Sequence, residues 1–372
     1  MTERNRRHLM RQPTDRLSWA GPISYASHVP MAAGKGFDTI LRRRYQEGMP
    51  VLAHSGYRPP FVLWNGHVQT VYPVLFRPMP KVSPARERIA TADGDFLDLD
   101  WHRAEGKGPA RLAVILHGLE GHARKKYVAG MARALTRRGW DVLAWNFRGC
   151  SGEPNRLPRY YHSGDTADLH AVLAHGLGRR AYADAVLVGF SIGGNQVLKY
   201  LGEDPDRVPA AVRAAVAFSV PCDLAGGARV LARPCNRLYM EYFLRSLRAK
   251  ARLKHRLFGG LDLAGLDAMT TFDAFDERFT APLHGFAGAA DYYRRASSLP
   301  HLAAIRVPTL LVNARDDPFL SPSCYPAEAA AANERLFLET PISGGHVGFV
   351  ERNRDNLYWS ERRAVAFLEA AA

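Results

Sequence analysis

The sequence predicts a protein of the α/β class, with a mostly parallel central sheet, helices on both faces and a helical cap inserted after the sixth strand. From about residue 85, apolar runs alternate with segments of helical periodicity, which is typical of strands joined by crossover helices. The apolar runs are continuous, as in strands that are buried on both faces. Between Val220 and Thr309 the alternation stops, and more than 80 residues have a helical composition.

The predicted sheet begins with a hairpin. Residues 86–90 and 96–101 flank Asp93-Gly94-Asp95, a turn of the kind that closes two antiparallel strands. Later strands are expected where apolar residues run together, at 112–116, 141–147, 185–188, 214–220, 309–312 and 336–338. Helices are expected around Tyr127 to Leu135, which Gly139 would end, and at 193–201 and 353–371.

The chain is expected to divide into a basic leader at 1–56, predicted to be flexible, and one α/β domain at 57–372. The cap would occupy about 221–300, inside that domain. Met31 is an alternative start that would remove most of the leader.

Positive charge is the unusual feature of the composition. The net charge is +14 and the pI is about 9.8, and segments 1–56 and 233–256 carry +5 and +7 of that charge. No nucleic-acid-reading motif accompanies the arginines, so a nucleic acid partner is not expected. A peripheral contact of the basic cap or leader with an anionic membrane is the expectation that remains. The leader lacks the apolar stretch of a signal peptide, and no run is long enough to span a bilayer, so a cytoplasmic location is expected.

Metal and cofactor sites are not expected. The four cysteines are spaced singly, and no paired-histidine metal motif occurs. The glycine-rich phosphate-binding motifs are also missing from the sequence.

A nucleophile motif stands at the end of a predicted strand. Residues 189–193 read Gly-Phe-Ser-Ile-Gly, directly after an apolar strand and directly before a helix. In that context the glycines allow a tight turn that exposes the Ser191 hydroxyl at the carboxyl edge of the sheet. A serine there indicates acyl transfer, either to water or to an alcohol.

A serine nucleophile needs a base, and the base needs an acid to orient it. In this fold the chain order is serine, acid, histidine. Asp317, shortly after the strand at 309–312, is the predicted acid, and Asp316 is the alternative. His346, between glycines after the last strand, is the predicted base.

The predicted oxyanion hole consists of the backbone N–H groups of Leu119 and Ile192, one in the loop after the strand at 112–116 and one directly after the nucleophile. His117 and Glu120 are expected to hold the shape of that loop. Arg148 and His162 lie in loops at the carboxyl edge and are candidate substrate contacts, with loop bracing as the alternative.

Several motifs together resemble one known family. They are His117-Gly118-Leu119-Glu120-Gly121, the run 147–155, Tyr161-His162-Ser163-Gly164, the elbow at 189–194 and the run 314–319, with further similarity at 58–60, 65–70 and 280–286. Over residues 57–368 the chain is similar to the YheT-type branch of the α/β-hydrolases. The resemblance implies a Ser191–Asp317–His346 triad and an esterase-like or lipase-like activity on small-molecule or lipid carboxylic esters.

Two other functions stay open from the sequence. An acyltransferase would use the same triad with another acceptor, and a non-catalytic membrane-surface protein would use the arginines alone. Within the cap, an apolar stripe at helical spacing is either buried packing or the lining of an acyl-chain tunnel; it consists of Leu238, Tyr239, Tyr242, Phe243 and Leu247.

Overall fold

The structure is a computed structural model in which residues 51–52, 55–104 and 110–371 are described. Most of the predicted leader, with Met31, lies outside these residues. The strands are β1 (Val51–Leu52), β2 (Ala85–Ala90), β3 (Phe96–His102), β4 (Arg111–Leu116), β5 (Trp140–Asn146), β6 (Asp184–Phe190), β7 (Val212–Phe218), β8 (Thr309–Val312) and β9 (Leu336–Glu339).

These strands form one sheet in the spatial order β1-β9-β8-β7-β6-β4-β5-β3-β2. All neighbouring pairs from β1 to β5 in that order are parallel, and β3 is antiparallel to both β5 and β2. In the centre, Val114 of β4 pairs with Leu143 on one side and Leu187 on the other. The predicted parallel sheet with its initial hairpin is confirmed.

The helices connect the strands and cover the sheet. They are α1 (Gly66–Phe76), α2 (Lys126–Thr136), α3 (Thr166–Gly178), α4 (Ile192–Glu203), α5 (Leu224–Leu231), α6 (Arg237–Phe258), α7 (Phe272–Phe275), α8 (Ala281–Leu283), α9 (Ala289–Ala296), α10 (Ala327–Ala331) and α11 (Trp359–Ala371). A π-helical turn, Asp276–Thr280, joins α7 to α8.

The sheet separates two apolar cores. Along β4, Leu112, Val114 and Leu116 enter one core, while Ala113 and Ile115 enter the other, because successive side chains of a strand point to opposite faces. Helices α3 and α4 cover the first core, and α2 and α11 cover the second. Continuous apolar runs are therefore needed, since both faces of each central strand are buried.

The cap is the segment between β7 and β8. The sequence predicted a cap after the sixth strand, and β7 is that strand because β1 was not among the predicted strands. Helices α5, α6, α7 and α9 build a third apolar cluster there, which includes Leu244, Phe275, Phe279 and Tyr292. The division into a leader and one domain at residue 57 stays a prediction.

Two details of the chain differ from the sequence prediction. The short strand β1 was not predicted, because two residues carry no periodicity; it pairs with β9. Helix α11 begins at Trp359 rather than at residue 353. The Asn353 side chain accepts hydrogen bonds from the backbone N–H groups of Asp355 and Leu357, and Asn356 has φ = +50°, so these residues form turns.

Within the described ranges, no helix combines the length and apolar character required to cross a membrane. The predicted cytoplasmic location stays a prediction.

Candidate active site

Ser191 occupies a sharp turn between β6 and α4, with φ = 54° and ψ = −123°. Small neighbours make this turn possible. A Cβ atom on Gly189 would lie 2.5 Å from the carbonyl oxygen of Gly193, and one on Gly193 would lie 2.5 Å from that of His117. The strained turn holds the Ser191 side chain at the carboxyl edge of the sheet.

The structure brings Ser191, His346 and Asp317 into one chain of hydrogen bonds. Ser191 Oγ lies 2.9 Å from His346 Nε2, and His346 Nδ1 lies 2.9 Å from Asp317 Oδ2. The carboxylate can only accept, so Nδ1 carries the proton and Nε2 is left to accept from the serine hydroxyl. The Asp317 side chain is fully buried, and that of His346 is 10% exposed.

Asp316, the alternative acid, points elsewhere. Its Oδ1 accepts a hydrogen bond of 2.9 Å from the N–H of Gly345, directly before His346. Asp317 Oδ1 accepts instead from the N–H of Phe319 at 2.9 Å, which fixes the carboxylate that faces the imidazole. The two neighbouring carboxylates therefore hold different parts of one arrangement, the histidine loop and the histidine ring.

Helix α1 holds the loop of His346 in place. The Thr70 hydroxyl accepts from the backbone N–H of His346 at 2.8 Å and donates to the Gly66 carbonyl at 2.7 Å. The next N–H, that of Val347, donates to Ser219 Oγ at 2.9 Å. Thr70 belongs to the run 65–70 that carries part of the family resemblance, but its partner, 276 residues away in the chain, could not be identified from the sequence.

The loop after β4 presents one backbone donor beside Ser191. The N–H groups of Gly118 and Glu120 donate to the hydroxyls of Tyr127 and Tyr161, each at 2.9 Å. The N–H of Leu119, between them, has no partner within the described residues. Ile192 is the first residue of α4, so its N–H has no acceptor within the helix. A role of these two groups as an oxyanion hole stays a prediction.

His117 and Glu120 support this loop, as the sequence predicted. Burial lowers the pKa of His117 to about 3, so the ring is neutral; its Nδ1 lies 2.8 Å from the Gly118 carbonyl, and its Nε2 accepts from the N–H of Phe147. Glu120 has φ = +52° and is bonded to Tyr161 and to Lys250 of α6.

A cavity that is open to solvent lies beneath the cap and in front of Ser191 and His346. Most of its wall is apolar, including Leu119, Leu224, Ala228, Leu231, Phe243, Leu247, Phe272 and Phe319. One section is polar, with Tyr160, His162, Ser163, Asp276, Thr280, Tyr292 and Tyr293.

The two candidate substrate contacts differ in their surroundings. Arg148 does not line the cavity; its buried guanidinium binds the carboxylates of Asp168, Asp95 and Asp93, so the loop-bracing alternative describes it. His162 lines the cavity. Burial, with a smaller contribution from His284, lowers its pKa well below the ordinary value, and a contact with substrate stays a prediction for it.

The apolar stripe of the cap does not face one way. Phe243 and Leu247 line the cavity, whereas Leu238 and Tyr242 are 85% and 61% exposed. Helix α6 buries instead a face made of Met240, Leu244, Leu247, Arg248, Ala251 and Lys254. Leu238 and Tyr242 are therefore not buried packing residues. Of the five residues of the stripe, only Phe243 and Leu247 line the cavity.

Comparisons with known proteins agree with this arrangement. Residues 114–353 match the family described as the alpha/beta hydrolase fold. YheT of Escherichia coli is 38% identical, over 77% of this chain and 84% of its own. Phospholipase ABHD3 of Homo sapiens is 30% identical, over 86% of this chain and 79% of its own. Monoacylglycerol lipase ABHD2 of Danio rerio is 29% identical, over 90% and 84%.

Among solved structures, the esterase Pf2001 of Pyrococcus furiosus superimposes with a TM-score of 0.51 at 16% identity, over 77% of this chain and 92% of that one. This likeness concerns the fold alone. The sequence relatives and the family match confirm the resemblance to the YheT-type branch. The chain therefore belongs to the α/β-hydrolase family, within the branch that contains YheT.

Proposed function

We propose that this enzyme hydrolyses carboxylic esters, with Ser191 as nucleophile, His346 as general base and acid, and Asp317 as the group that orients the imidazole. The continuous hydrogen-bond chain from Ser191 Oγ through His346 to the buried Asp317 carboxylate carries this proposal. It opens on a cavity whose wall is mostly apolar.

In the first half of the reaction, Ser191 Oγ attacks the ester carbonyl carbon while its proton moves to His346 Nε2. The carbonyl oxygen becomes an oxyanion, which the N–H groups of Leu119 and Ile192 stabilise. The bond to the leaving alcohol then breaks, and His346 returns the proton to the departing oxygen. The product of this half is the acyl-enzyme and a free alcohol.

In the second half, water attacks the acyl carbon and gives a proton to His346. The bond from carbon to Ser191 Oγ breaks, the serine regains the proton from His346, and the carboxylic acid leaves. Throughout, Asp317 keeps the proton on Nδ1 and stabilises the imidazolium that forms.

The apolar wall favours an ester with a hydrocarbon chain. Leu224, Ala228, Leu231, Phe243 and Leu247 offer aliphatic and aromatic surface next to the nucleophile, which favours burial of an acyl chain over a polar one. Relatives named phospholipase and monoacylglycerol lipase point in the same direction, so a lipid ester is the proposed substrate class.

Fluorophosphonate labelling tests the nucleophile. We expect the wild type to be labelled, the Ser191→Ala variant to lose the label, and the variant Ser83→Ala, which alters an exposed serine before β2, to keep it. Wild type that neither takes up the label nor turns over p-nitrophenyl esters would contradict the hydrolase proposal and favour the non-catalytic alternative.

An acyltransferase would share every residue named so far and differ only in the acceptor. Product analysis separates the two. With a p-nitrophenyl acyl ester in water containing glycerol, a hydrolase releases mainly the free acid, whereas a transferase releases mainly the acylated alcohol.

We also propose that the enzyme meets lipid esters at an anionic bilayer, with the outer face of α1 against the membrane. Phe61 and Trp64 are 95% and 75% exposed, and further exposed apolar residues follow on α1: Val68, Val71, Val74, Leu75 and Phe76. Residues 57–84 contain no Asp or Glu. Aromatic and aliphatic side chains beside positive charge suit an interface with anionic headgroups.

The neighbouring cap helix adds positive charge to this surface. Its Tyr239 stacks on His67 of α1, with 5.7 Å between the ring centres. Three exposed arginines lie near Tyr239 in the chain: Arg233, Arg237 and Arg245. Tyr239 also packs on Phe319, which contacts the His346 ring. The proposed membrane face is therefore continuous with the wall of the cavity.

Vesicle flotation tests this surface. We expect binding to vesicles of phosphatidylcholine mixed with phosphatidylglycerol, weak binding to phosphatidylcholine alone, and loss of binding in Phe61→Ser/Trp64→Ser. The matched control Leu257→Ser, at the opposite end of α6, should still bind. Two results would overturn the membrane assignment of this face. One is that the wild type is a dimer and the double variant is a monomer; the other is that the double variant binds the vesicles as well as the wild type does.

A further inference from the structure

One section of the cavity wall does not fit an enzyme that binds only hydrocarbon chains. Asp276, Thr280, Tyr160, Tyr292 and Tyr293 come together there, from the π-helical turn, from the loop between β5 and α3, and from α9. A carboxylate in such a cavity is costly, because it leaves water without gaining an equivalent partner.

Asp276 has hydroxyl partners but no cationic one. Tyr293 donates to its Oδ2 at 2.8 Å, and Thr280 is also bonded to it. Within the described residues no lysine, arginine or histidine lies within ion-pair distance of it. The titratable groups that face it are Tyr160, Tyr292, Tyr293 and the like-charged Asp273. Burial, foremost, raises its pKa to about 6, the direction expected for a buried carboxyl group that has no counter-charge.

The buried cations of the cap are engaged elsewhere. Each has its own acceptors: Arg248 binds Glu241 and the Met269 carbonyl, Lys250 binds Glu120, and Lys254 binds the carbonyls of Asn155 and Leu157. None of them is left to neutralise Asp276. The charge of this carboxylate is therefore uncompensated by the described protein.

The backbone at this point is also unusual. Asp276–Thr280 forms a π-helical turn, a rare geometry that is frequent at functional sites. Both end residues of the turn line the cavity. The turn leads into the segment 280–286, one of the runs that carry the family resemblance, and His284 ties it to the Tyr160 carbonyl at 2.8 Å.

The three tyrosines are held firmly. Tyr160 OH lies 3.2 Å from Thr280 Oγ1, and Tyr292 OH donates to Ser163 Oγ at 2.8 Å. Tyr293 OH is bound by Asp276, and the rings of Tyr292 and Tyr293 lie 5.2 Å apart. With their hydroxyls tied to the protein, the rings stay where they line the cavity.

We propose that this section, defined by Asp276, Tyr160, Tyr292 and Tyr293 and called here the cap subsite, binds a positively charged ammonium group of the ester substrate. Aromatic rings together with a carboxylate are the surroundings that stabilise an organic cation away from water. The subsite disfavours a carboxylate or phosphate placed there, since like charges repel. It deepens the proposed function, on which it rests, by naming a chemical feature of the substrate.

Direct binding tests the cap subsite without relying on turnover. The probes are choline and its longer-chain homologues, compared with the alcohols in which carbon replaces the ammonium nitrogen, so that shape is kept and charge removed. By calorimetry we expect the wild type to bind the best ammonium probe at least about tenfold more tightly than its neutral counterpart. Probes of several chain lengths are compared, because a longer probe can fill the cavity between the cap subsite and its open end.

A matched pair of variants assigns this preference to one residue. Asp276→Asn should abolish most of the preference, whereas Asp273→Asn, an equal change of charge at an exposed neighbouring position, should retain most of it. Tyr293→Phe, which keeps the ring, should retain part of it. Thermal unfolding confirms that each variant is folded.

Equal binding of charged and neutral probes by the wild type would overturn the cap subsite, as would a preference that survives Asp276→Asn. A failure of the proposed function is distinguishable from both outcomes. In that case fluorophosphonate labelling of Ser191 is lost, while the calorimetric comparison can still be made.

Discussion

Glu120 of the loop beside the nucleophile forms a buried ion pair with Lys250 of the cap helix, with 2.6 Å between Oε1 and Nζ. The Lys250 ammonium lies over the ring of Tyr161, 4.7 Å from its centre. Burial alone would raise the pKa of Glu120, but the charge and hydrogen bond of Lys250 hold it below its ordinary value. The cap is thereby joined to the loop that carries the Leu119 N–H.

Lys250→Met should destabilise the protein by about 3 kcal/mol or more, because it leaves the buried Glu120 carboxylate without its counter-charge. The double variant Glu120→Gln/Lys250→Met should recover much of that loss. Arg252→Met, which removes an exposed ion pair with Asp267 from the same helix, should change stability little. Urea unfolding measures all three, and equal effects of Lys250→Met and Arg252→Met would contradict the role of the buried pair.

Glu120→Gln should lower kcat more than it raises KM. The amide keeps the shape of the side chain but weakens the bond to Lys250, so the loop that presents the Leu119 N–H becomes less ordered. That donor acts on the oxyanion, which exists only in the transition state. Steady-state kinetics with p-nitrophenyl butyrate measures the effect; a change confined to KM would contradict it.

Asp317→Asn and Asp316→Asn should differ strongly in activity. The amide at 317 favours the wrong tautomer of His346, and a loss of about 10⁴-fold in kcat is expected. The amide at 316 weakens one hydrogen bond to the Gly345 N–H and should cost less than about tenfold. The two variants carry the same change at neighbouring positions, so similar losses of kcat would rule out Asp317 as the orienting acid.

Asp276→Asn should stabilise the ligand-free protein in a pH-dependent way. The folded-state pKa of about 6 lies above the ordinary aspartate pKa of 3.8, so deprotonation lowers the stability of the folded state. This cost is absent below about pH 4, grows as pH rises to about 6 and is complete above it. Its size is at most on the order of 3 kcal/mol.

Thermal unfolding across this pH range checks the sign. The difference in Tm between Asp276→Asn and wild type should increase from pH 4 to pH 7. For Asp273→Asn, which removes only a neighbouring like charge, the increase should be much smaller. A variant that is less stable than wild type at pH 7 would mean that the ionised carboxylate is stabilised by the protein itself.

Ala228→Leu should shift the chain-length preference towards shorter acyl groups. Ala228 lines the apolar wall, so the larger side chain removes space that a long chain would fill. The ratio of kcat/KM for palmitoyl over acetyl esters should fall by at least about tenfold. Ala232→Leu, on the exposed end of α5, is the matched control, and a similar shift in that variant would contradict this assignment.

The arrangement around Ser191 could be predicted because local geometry determines it. Gly189 and Gly193 are required by the close approach of backbone atoms at the turn, and that requirement is visible as a motif between a strand and a helix. The order of the strands then fixes which edge of the sheet carries the loops of Asp317 and His346. The separation of Asp317 from its neighbour Asp316 follows from the turn after β8, which the Pro318 position suggested.

Other residues depend on contacts that no local pattern reveals. Arg148 stands at the expected edge of the sheet, but three carboxylates from distant positions take up its guanidinium. Asp276 carries no signal in the sequence, because three separate segments form its surroundings. Among the described residues, no Lys, Arg or His lies within ion-pair distance of it. Strand β1 exists only because β9 is available to pair with it.

The bond between Thr70 and the N–H of His346 joins the segment before the sheet to one of its last loops. During synthesis, Ser191 and α1 leave the ribosome well before residue 346, so the base is docked only after nearly the whole sheet has been assembled. Contacts of such long sequence separation form late and slowly. On the proposed mechanism, an unfinished chain carries Ser191 without its base, and activity is expected only once the final strands are in place.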